Sequence, residues 1–220
     1  MKTILVTGAS RGIGNALAKK FLENGDVVFG TSTNGDAHFS HKRLKMFRLD
    51  LGDPVSIKRC ADDIAKLGKK IDILINNAGI VIEEEADSPA IVTDFLRKTL
   101  EVNLIGTVNF TERIIPLINE GGQIINLSSS AGSLGHTGYT SNYPSYRISK
   151  ASLNMLTRIL ARRLAGKVKV SSVHPGWVQT DMGGEGADIS PAEAAQDIFM
   201  LANSDVETGQ FWFKQKKFPW

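Results

Sequence analysis

Short apolar runs alternate with longer stretches of helical periodicity along nearly the whole chain, and this alternation limits the fold more than any other feature of the sequence. The runs are "TILVT" (3–7), "DVVFGT" (26–31), "LKMFRLDL" (44–51), "IDILIN" (71–76), "QIINLS" (123–128), "KVKVSSVH" (167–174) and "GQFWF" (209–213). Between the first two, Ile13, Leu17, Phe21 and Leu22 recur at helical spacing until Gly25. Asp53 reads as an N-cap with Pro54 at the first helical position, ahead of Ile57, Cys60, Ala61, Ile64 and Leu67 on one helix face. Further helices are expected over 88–119, with a break near 103–106, over 145–164 and over 191–201. Strands alternating with helices build a parallel sheet covered on both faces. Runs this rich in Val, Ile and Leu suit strands buried on both sides.

With 220 residues and no repeat, linker or low-complexity segment, a single domain over 1–220 is expected. The Gly-rich "MGGEGAD" (182–188) is its most loop-like stretch and marks a candidate mobile substrate loop at about 182–190. A net charge of +3 is too small to argue for a nucleic-acid or membrane partner. The lone Cys60 permits no disulfide framework within the chain, and a buried inert thiol in a reducing compartment is expected. No segment approaches the ~18 apolar residues of a membrane span. The three-residue apolar run after Lys2 is too short for a secretory segment. A cytoplasmic protein follows as the expectation.

The first strand runs straight into "TGASRGIG" (7–14), which opens the first helix. Such a turn aims backbone N–H groups and the positive end of a helix at one point, where a phosphate fits. Gly8 would allow the tight turn, Gly12 the approach of a pyrophosphate, and Gly14 close packing of helix on strand. At the first strand–helix junction, this points to a dinucleotide and to a Rossmann-type sheet in the order 3-2-1-4-5-6-7. An NAD site presents an acid after the second strand, whereas here Gly30, Thr31, Ser32 and Thr33 occupy that region. With Arg11 in the loop, hydroxyls and a guanidinium suit a 2′-phosphate, so NADP(H) is expected over NAD(H); the plainer reading of Arg11 is a solvated side chain. His38, His41, Lys42 and Arg43 read as a solvated loop.

"TGASRGIG", "NNAG" (76–79), Asn103 in "EVNLIGT", "SSSAG" (128–132), Tyr146-x-x-x-Lys150 and "HPGWVQTDM" (174–182) stand in the order and spacing of one family. By these motifs the chain resembles the short-chain dehydrogenase/reductase family, and by "HPGWVQTDMGG" with a C-terminal "PW" it resembles the C-factor/sniffer branch of carbonyl-reductase-like members. The resemblance implies a catalytic set of Asn103, Ser129, Tyr146 and Lys150, with Ser128 and Ser130 as alternatives to Ser129. It implies cofactor contacts from Gly8, Ser10, Arg11, Gly12, Ile13, Gly14 and Thr33, and from Asp50 and Leu51 at the adenine. Asn77, Ala78 and Gly79 would line the cofactor, Pro175, Gly176, Val178 and Thr180 would hold the carboxamide, and Tyr146 and Lys150 would meet the nicotinamide ribose. No metal is implied. Self-association, as a homodimer or homotetramer, would run through the helices at 88–119 and 145–164. The 17 positions from Ser129 to Tyr146 exceed the spacing of many members, and the segment from Met182 to Pro191 is short, which leaves the substrate open.

The implied chemistry is reduction of a ketone or aldehyde, with Tyr146 protonating the developing alkoxide. A free phenol has a pKa of ~10, and acid–base work near neutrality asks for about three units less, roughly 4 kcal/mol. A cation about 4 Å away supplies about 4 kcal/mol at an effective dielectric near 20, and about two-thirds of that at 6 Å. Lys150 on the same helix face is therefore expected to lower the Tyr146 pKa. Ser129 would donate to the substrate oxygen, and Asn103 would hold a helix irregularity and a water leading from Lys150. Tyr139 and Tyr143 lack a lysine four residues on. His174 reads as a packing or backbone partner, Arg158, Arg162, Arg163, Lys167 and Lys169 as a solvated face, and the aromatic C-terminus as core or subunit interface more than pocket. The alternative is a cofactor-binding signalling or redox-sensing protein with little turnover. Sugar-nucleotide epimerase chemistry normally needs a larger C-terminal domain than the 40 residues after Thr180.

Overall fold

The computed structural model describes residues 1–86, 90–136 and 140–220. The described residues form eight strands: β1 (Thr3–Val6), β2 (Val27–Ser32), β3 (Leu44–Arg48), β4 (Ile71–Asn76), β5 (Ile118–Leu127), β6 (Val168–Val173), β7 (Gln210–Phe213) and β8 (Lys216–Lys217). They make one sheet in the order β3-β2-β1-β4-β5-β6-β7-β8. The seven expected strands pair in parallel in the expected order. The eighth is antiparallel to β7 and went unexpected, because two exposed lysines carry no apolar signal. Its turn uses Lys214 (φ 46) and Gln215 (φ 61), two left-handed residues in succession without the Asn-Gly that usually announces such a hairpin.

The helices are α1 (Gly12–Glu23), α2 (Pro54–Ala65), α3 (Thr93–Leu100), α4 (Thr107–Ile114), α5 (Pro144–Arg163) and α6 (Pro191–Ala202). The Asp53 side chain caps α2 as expected, accepting from the Val55 amide. The helix expected over 88–119 begins at Ser88, outside the described residues. Its described part is α3, a π-helical stretch Glu101–Gly106, α4 and a 3₁₀ turn Ile115–Leu117. Ile118 and Asn119 already belong to β5, so the helix ends earlier than periodicity implied; Pro116 cannot continue its hydrogen-bond ladder.

Period-two alternation sends neighbouring residues of β1 to opposite faces. Leu5 joins Phe47, Ile57, Ile64, Phe110, Ile124 and Leu160 under α2, α4 and α5. Ile4 and Val6 join Leu17, Phe21, Ile73, Ile75, Ile198 and Leu201 under α1 and α6. Each such side chain contributes roughly 1.5–3 kcal/mol of burial. Cys60 lies in the first of these cores, its thiol pushed up to about 12 by burial and secondarily by Asp63, which makes it unreactive.

A polar chain crosses between sheet and helices. Asn76 donates from Nδ2 to Asn126 Oδ1 (2.8 Å) and Thr111 Oγ1 (2.9 Å). Asn126 Nδ2 donates to Thr157 Oγ1 (2.8 Å), which lies 2.8 Å from Ser172 Oγ. All five side chains are buried. Among the described residues no helix is long and apolar enough to cross a membrane.

Candidate active site

Strand order reverses on either side of β1, and the crevice above the carboxyl ends of β1 and β4 is where ligands enter such sheets. A cleft of about 1070 Å³ opens there, larger than the ~300–1,000 Å³ of ordinary small-molecule pockets. Gly8 (φ 67) and Gly12 (φ 53) take left-handed conformations that let the chain turn from β1 into α1. Thr7 and Asn77 stitch that turn to β4. Thr7 Oγ1 accepts from the amides of Asn77 and Ala78, each at 3.0 Å, and Asn77 Nδ2 donates to the carbonyls of Thr7 (2.7 Å) and Gly8 (3.1 Å).

The first turn of α1 has no side-chain cap and no acid, so its free amides and positive end face the cleft at Gly12, Ile13 and Gly14. A dinucleotide's pyrophosphate matches that donor set. Ser10, Arg11, Thr33, Asp50, Leu51, Ala78, Gly79, Pro175, Gly176, Val178 and Thr180 all line the same cleft. Asn34 and Asp36 were not foreseen on this wall, and His38 was expected in a solvated loop. Asp36 and His38 line it too, so an acid does stand beyond β2, past the Gly30–Thr33 window that was free of one. Arg11 is not simply solvated: its guanidinium meets the Asp181 carboxylate at 2.6 Å, with both side chains about three-quarters exposed.

At the other end of the cleft stand Ser129, Tyr146 and Lys150. The Lys150 ammonium lies 5.5 Å from the centre of the Tyr146 ring and donates to the Leu127 carbonyl at 2.7 Å. Burial holds Lys150 down to about 8. Burial also pushes the Tyr146 phenol above its ordinary value, while a hydrogen bond with Ser129 pulls the other way. The expected lowering of Tyr146 by Lys150 is therefore absent: desolvation of the hydroxyl outweighs a lysine whose ammonium is turned onto a carbonyl. The serine run divides by geometry. Ser129 reaches the phenol, whereas the buried Ser128 donates to the Lys150 carbonyl and Ser130 begins a 3₁₀ turn.

Asn103 is buried behind the cleft in the π-helical stretch, the irregularity expected of it. Its Oδ1 accepts from the Ile80 amide (2.7 Å), and its Nδ2 donates to the Ile80 carbonyl (2.9 Å) and to Ser149 Oγ (3.0 Å). A Cβ built on Gly79 would lie 3.2 Å from Asn103 Oδ1, a tight approach, and 3.6 Å from Lys150 Nζ, so both groups pack closely over this glycine.

Trp177, Met182, Gly183, Thr140, Asn142 and Tyr143 complete the walls. The expected substrate loop folds back on itself: Val178 pairs with Ile189, and Trp177 Nε1 donates to the Gly183 carbonyl (2.9 Å). Of the longer Ser129–Tyr146 segment, Tyr139 lies outside the described residues. Arg147 holds the segment's end, donating to the Asn142 carbonyl at 2.8 Å. His174 lines the cleft, accepts weakly from the Gly176 amide and stacks on Phe213 at 4.8 Å. Burial, with His136 nearby, holds it down to about 4. The aromatic C-terminus packs behind this wall, with Phe211 fully buried, Phe218 against His136 and His174, and the Pro219 carbonyl accepting from Ser133 Oγ. Part of the basic face is structural as well: Arg158 lies over Trp220, and Arg163 pairs with Glu112. No group of three or more metal-ligating side chains occurs among the described residues.

The sequence profile of the short chain dehydrogenase family matches residues 2–188. Carbonyl reductase [NADPH] 1 of Mus musculus is 28% identical over 98% of this chain and 97% of its own length. The crystal structure of NADPH-bound carbonyl reductase from chicken fatty liver superposes with a TM-score of 0.89 at 28% identity, covering 100% of this chain and 94% of that one. The carbonyl reductase Sniffer of D. melanogaster gives 0.87 at 26% identity, with both chains fully covered.

Proposed function

The chain belongs to the short-chain dehydrogenase/reductase family, and from that premise we propose that it is an NADPH-dependent reductase of a ketone or aldehyde with Tyr146 as the proton donor. The observation that carries the reading is the convergence of Ser129 and Lys150 on the Tyr146 side chain inside the cleft. When bound, the dinucleotide supplies the hydride. The phenol, held above its ordinary pKa by burial, keeps its proton until an alkoxide develops beside it. Ser129 orients the carbonyl oxygen, and Lys150, still mostly protonated at neutral pH with a value of about 8, holds a buried ammonium 5.5 Å from the Tyr146 ring centre, from where it would bond the nicotinamide ribose. Preference for NADP(H) is supported by Arg11, Ser32 and Thr33 sharing the lining of the cleft, and by the NADPH named for the mouse and chicken relatives. Trp177, Tyr143 and Met182 favour a carbonyl with an apolar or aromatic substituent.

The test is NADPH oxidation against a panel of aliphatic and aromatic aldehydes and ketones, wild type beside Tyr146→Phe. Turnover should fall at least about a hundredfold, the scale of acid–base catalysis, with NADPH affinity nearly unchanged. Equal rates in the two proteins would remove the assignment.

The whole chain is read as one cofactor-binding domain. Thiol-based redox sensing fits poorly with a Cys60 that is buried and pushed up to about 12. Self-association through α5 is part of the proposal, supported by its exposed Ile148, Met155 and Ile159. Met155→Glu should shift the sedimentation coefficient toward the monomer.

A further inference from the structure

The first turn of α5 carries Tyr146 but has no cap of its own. Tyr143 occupies the N-cap position in the left-handed region (φ 53, ψ 49), a strained conformation for a non-glycine residue, and its side chain makes no capping bond. Pro144 follows and has no N–H to offer. The turn is held from another part of the chain by Glu85, at the end of the 3₁₀ turn Glu83–Glu85 that follows β4. Glu85 is fully buried (0% exposed). Its Oε2 accepts from the Ser145 amide (3.2 Å), its Oε1 accepts from Ser145 Oγ (2.5 Å), and its backbone carbonyl accepts from the Tyr143 amide (3.1 Å).

Both oxygens of one carboxyl group therefore go to the residue immediately before Tyr146, and the same backbone unit fixes the residue two places earlier. An acid is the favoured partner of a helix N-terminus. The other end of the segment is gripped by Asn103 through both backbone groups of Ile80, and Asn103 also bonds Ser149, whose Oγ donates to the Tyr146 carbonyl at 2.7 Å. Glu85 does not line the cleft, so any effect on turnover passes through α5.

We propose that Glu85 is a positioning residue for the Tyr146 hydroxyl: its buried carboxyl group caps the catalytic helix from outside and sets the rotation of the helix's first turn. The proposal rests on the reading of Tyr146 as proton donor.

The experiment compares full-length wild type, Glu85→Ala, Glu85→Gln, Ser145→Ala and Tyr146→Phe. It measures thermal midpoint, NADPH Kd by fluorescence, kcat and KM for the fastest carbonyl of the panel, and the solvent deuterium isotope effect on kcat. It also measures amide hydrogen exchange over residues 145–149 in cofactor-free protein. In Glu85→Ala, kcat should fall about 10- to 100-fold, the scale of a displacement of about 1 Å at a reacting group. NADPH Kd should stay within about threefold, the isotope effect should rise, and the first turn of α5 should exchange faster. Glu85→Gln, which keeps an acceptor for Ser145, should recover most of the loss. A folded Glu85→Ala with wild-type kcat and exchange overturns the proposal, and so does one whose activity falls only in proportion to its folded fraction. If Glu85→Ala does not fold, Ser145→Ala decides by the same readouts, with Glu85→Gln again expected near wild type: partial loss of kcat with faster exchange in Ser145→Ala supports the cap, and no change in it refutes the proposal. Retained turnover in Tyr146→Phe would instead sink the proton-donor reading, whereas an inactive Tyr146→Phe beside an unaffected Glu85→Ala sinks the cap alone.

Discussion

Replacing Gly14 with alanine tests the phosphate cradle by steric means alone. Gly14 lies inside α1 without a left-handed φ, so alanine should favour the helix by about 1 kcal/mol if nothing else changed. Its Cβ, however, would stand 2.1 Å from the Gly8 carbonyl oxygen, 2.5 Å from Asn77 Nδ2 and 2.8 Å from the Gly8 carbonyl carbon. Ordinary contacts between non-bonded heavy atoms lie near ~3.5 Å, so the glycine turn must retreat by about 1 Å. Overpacking of this kind costs about 1–3 kcal/mol. Weakening the Asn77–Gly8 hydrogen bond adds about 1 kcal/mol. After the helix gain, the net loss is about 1–3 kcal/mol, or roughly 3–10 °C in Tm for a chain of this size. The retreat also moves the amides meant for the pyrophosphate, and NADPH should bind at least about tenfold more weakly, which is about 1.4 kcal/mol. Thermal unfolding and NADPH fluorescence titration measure the two effects. Gly68→Ala is the control: with φ +62 and nothing within 4 Å of its Cβ, it strains only its own backbone and should leave NADPH binding alone. A Gly14→Ala protein with unchanged Tm and NADPH affinity would refute the packing argument.

Other expectations concern charge. His174 is held near 4 against an ordinary 6.5, so the unfolded chain binds the extra proton first; the stability it contributes is present above pH 6.5 and lost as pH falls toward 4. At about 1.36 kcal/mol per unit the loss is at most about 3 kcal/mol, and His174→Gln should lose less stability than wild type between pH 7 and 4 in urea melts. Lys150, at about 8 against 10.5, works in the alkaline range: the unfolded state holds the proton longer, so stability should rise from pH 8 upward, and Lys150→Met should flatten that slope. Tyr146, raised above its ordinary 10, gives the opposite slope near and above pH 10, so the comparison belongs between pH 8 and 9.5. For the cofactor, NADPH should bind at least about tenfold tighter than NADH, a difference of about 1.4 kcal/mol. Arg11→Ala should narrow that gap, because an exposed Arg11–Asp181 pair holds the guanidinium by no more than about 1 kcal/mol and yields it to a phosphate. Equal Kd values in the wild type would count against the assignment.

Much of the frame could be read from apolar periodicity, because strands buried on both sides and amphipathic helices leave patterns that need no knowledge of their partners. Position within that frame brings Gly12, Asn77, Ser129, Tyr146 and Val178 to one cleft. What escaped depends on contacts between segments far apart in sequence. The two-residue strand β8 exists through its pairing with β7. Glu85 looks like one of three solvated acids until the fold buries it against Ser145. The Tyr146 pKa departs from the expectation because a sequence gives the spacing of a charge but not the desolvation of the group it acts on, nor that the Leu127 carbonyl accepts the lysine's hydrogen bond. Asp36 lies four residues beyond the end of β2, where nothing local in the sequence marks it as reaching the cleft.

The buried line from Asn76 through Asn126 to Thr157 and Ser172 has a consequence for inheritance. Each member satisfies its neighbour out of reach of water, so an isolated exchange strands a donor or acceptor at about 1–3 kcal/mol, while exchanging the whole line for apolar residues of similar shape can be nearly neutral. These positions should therefore change together or not at all. A chimera that joins the first four strands of this chain to the remainder of a relative should fold well only when the relative supplies matching partners for Asn76.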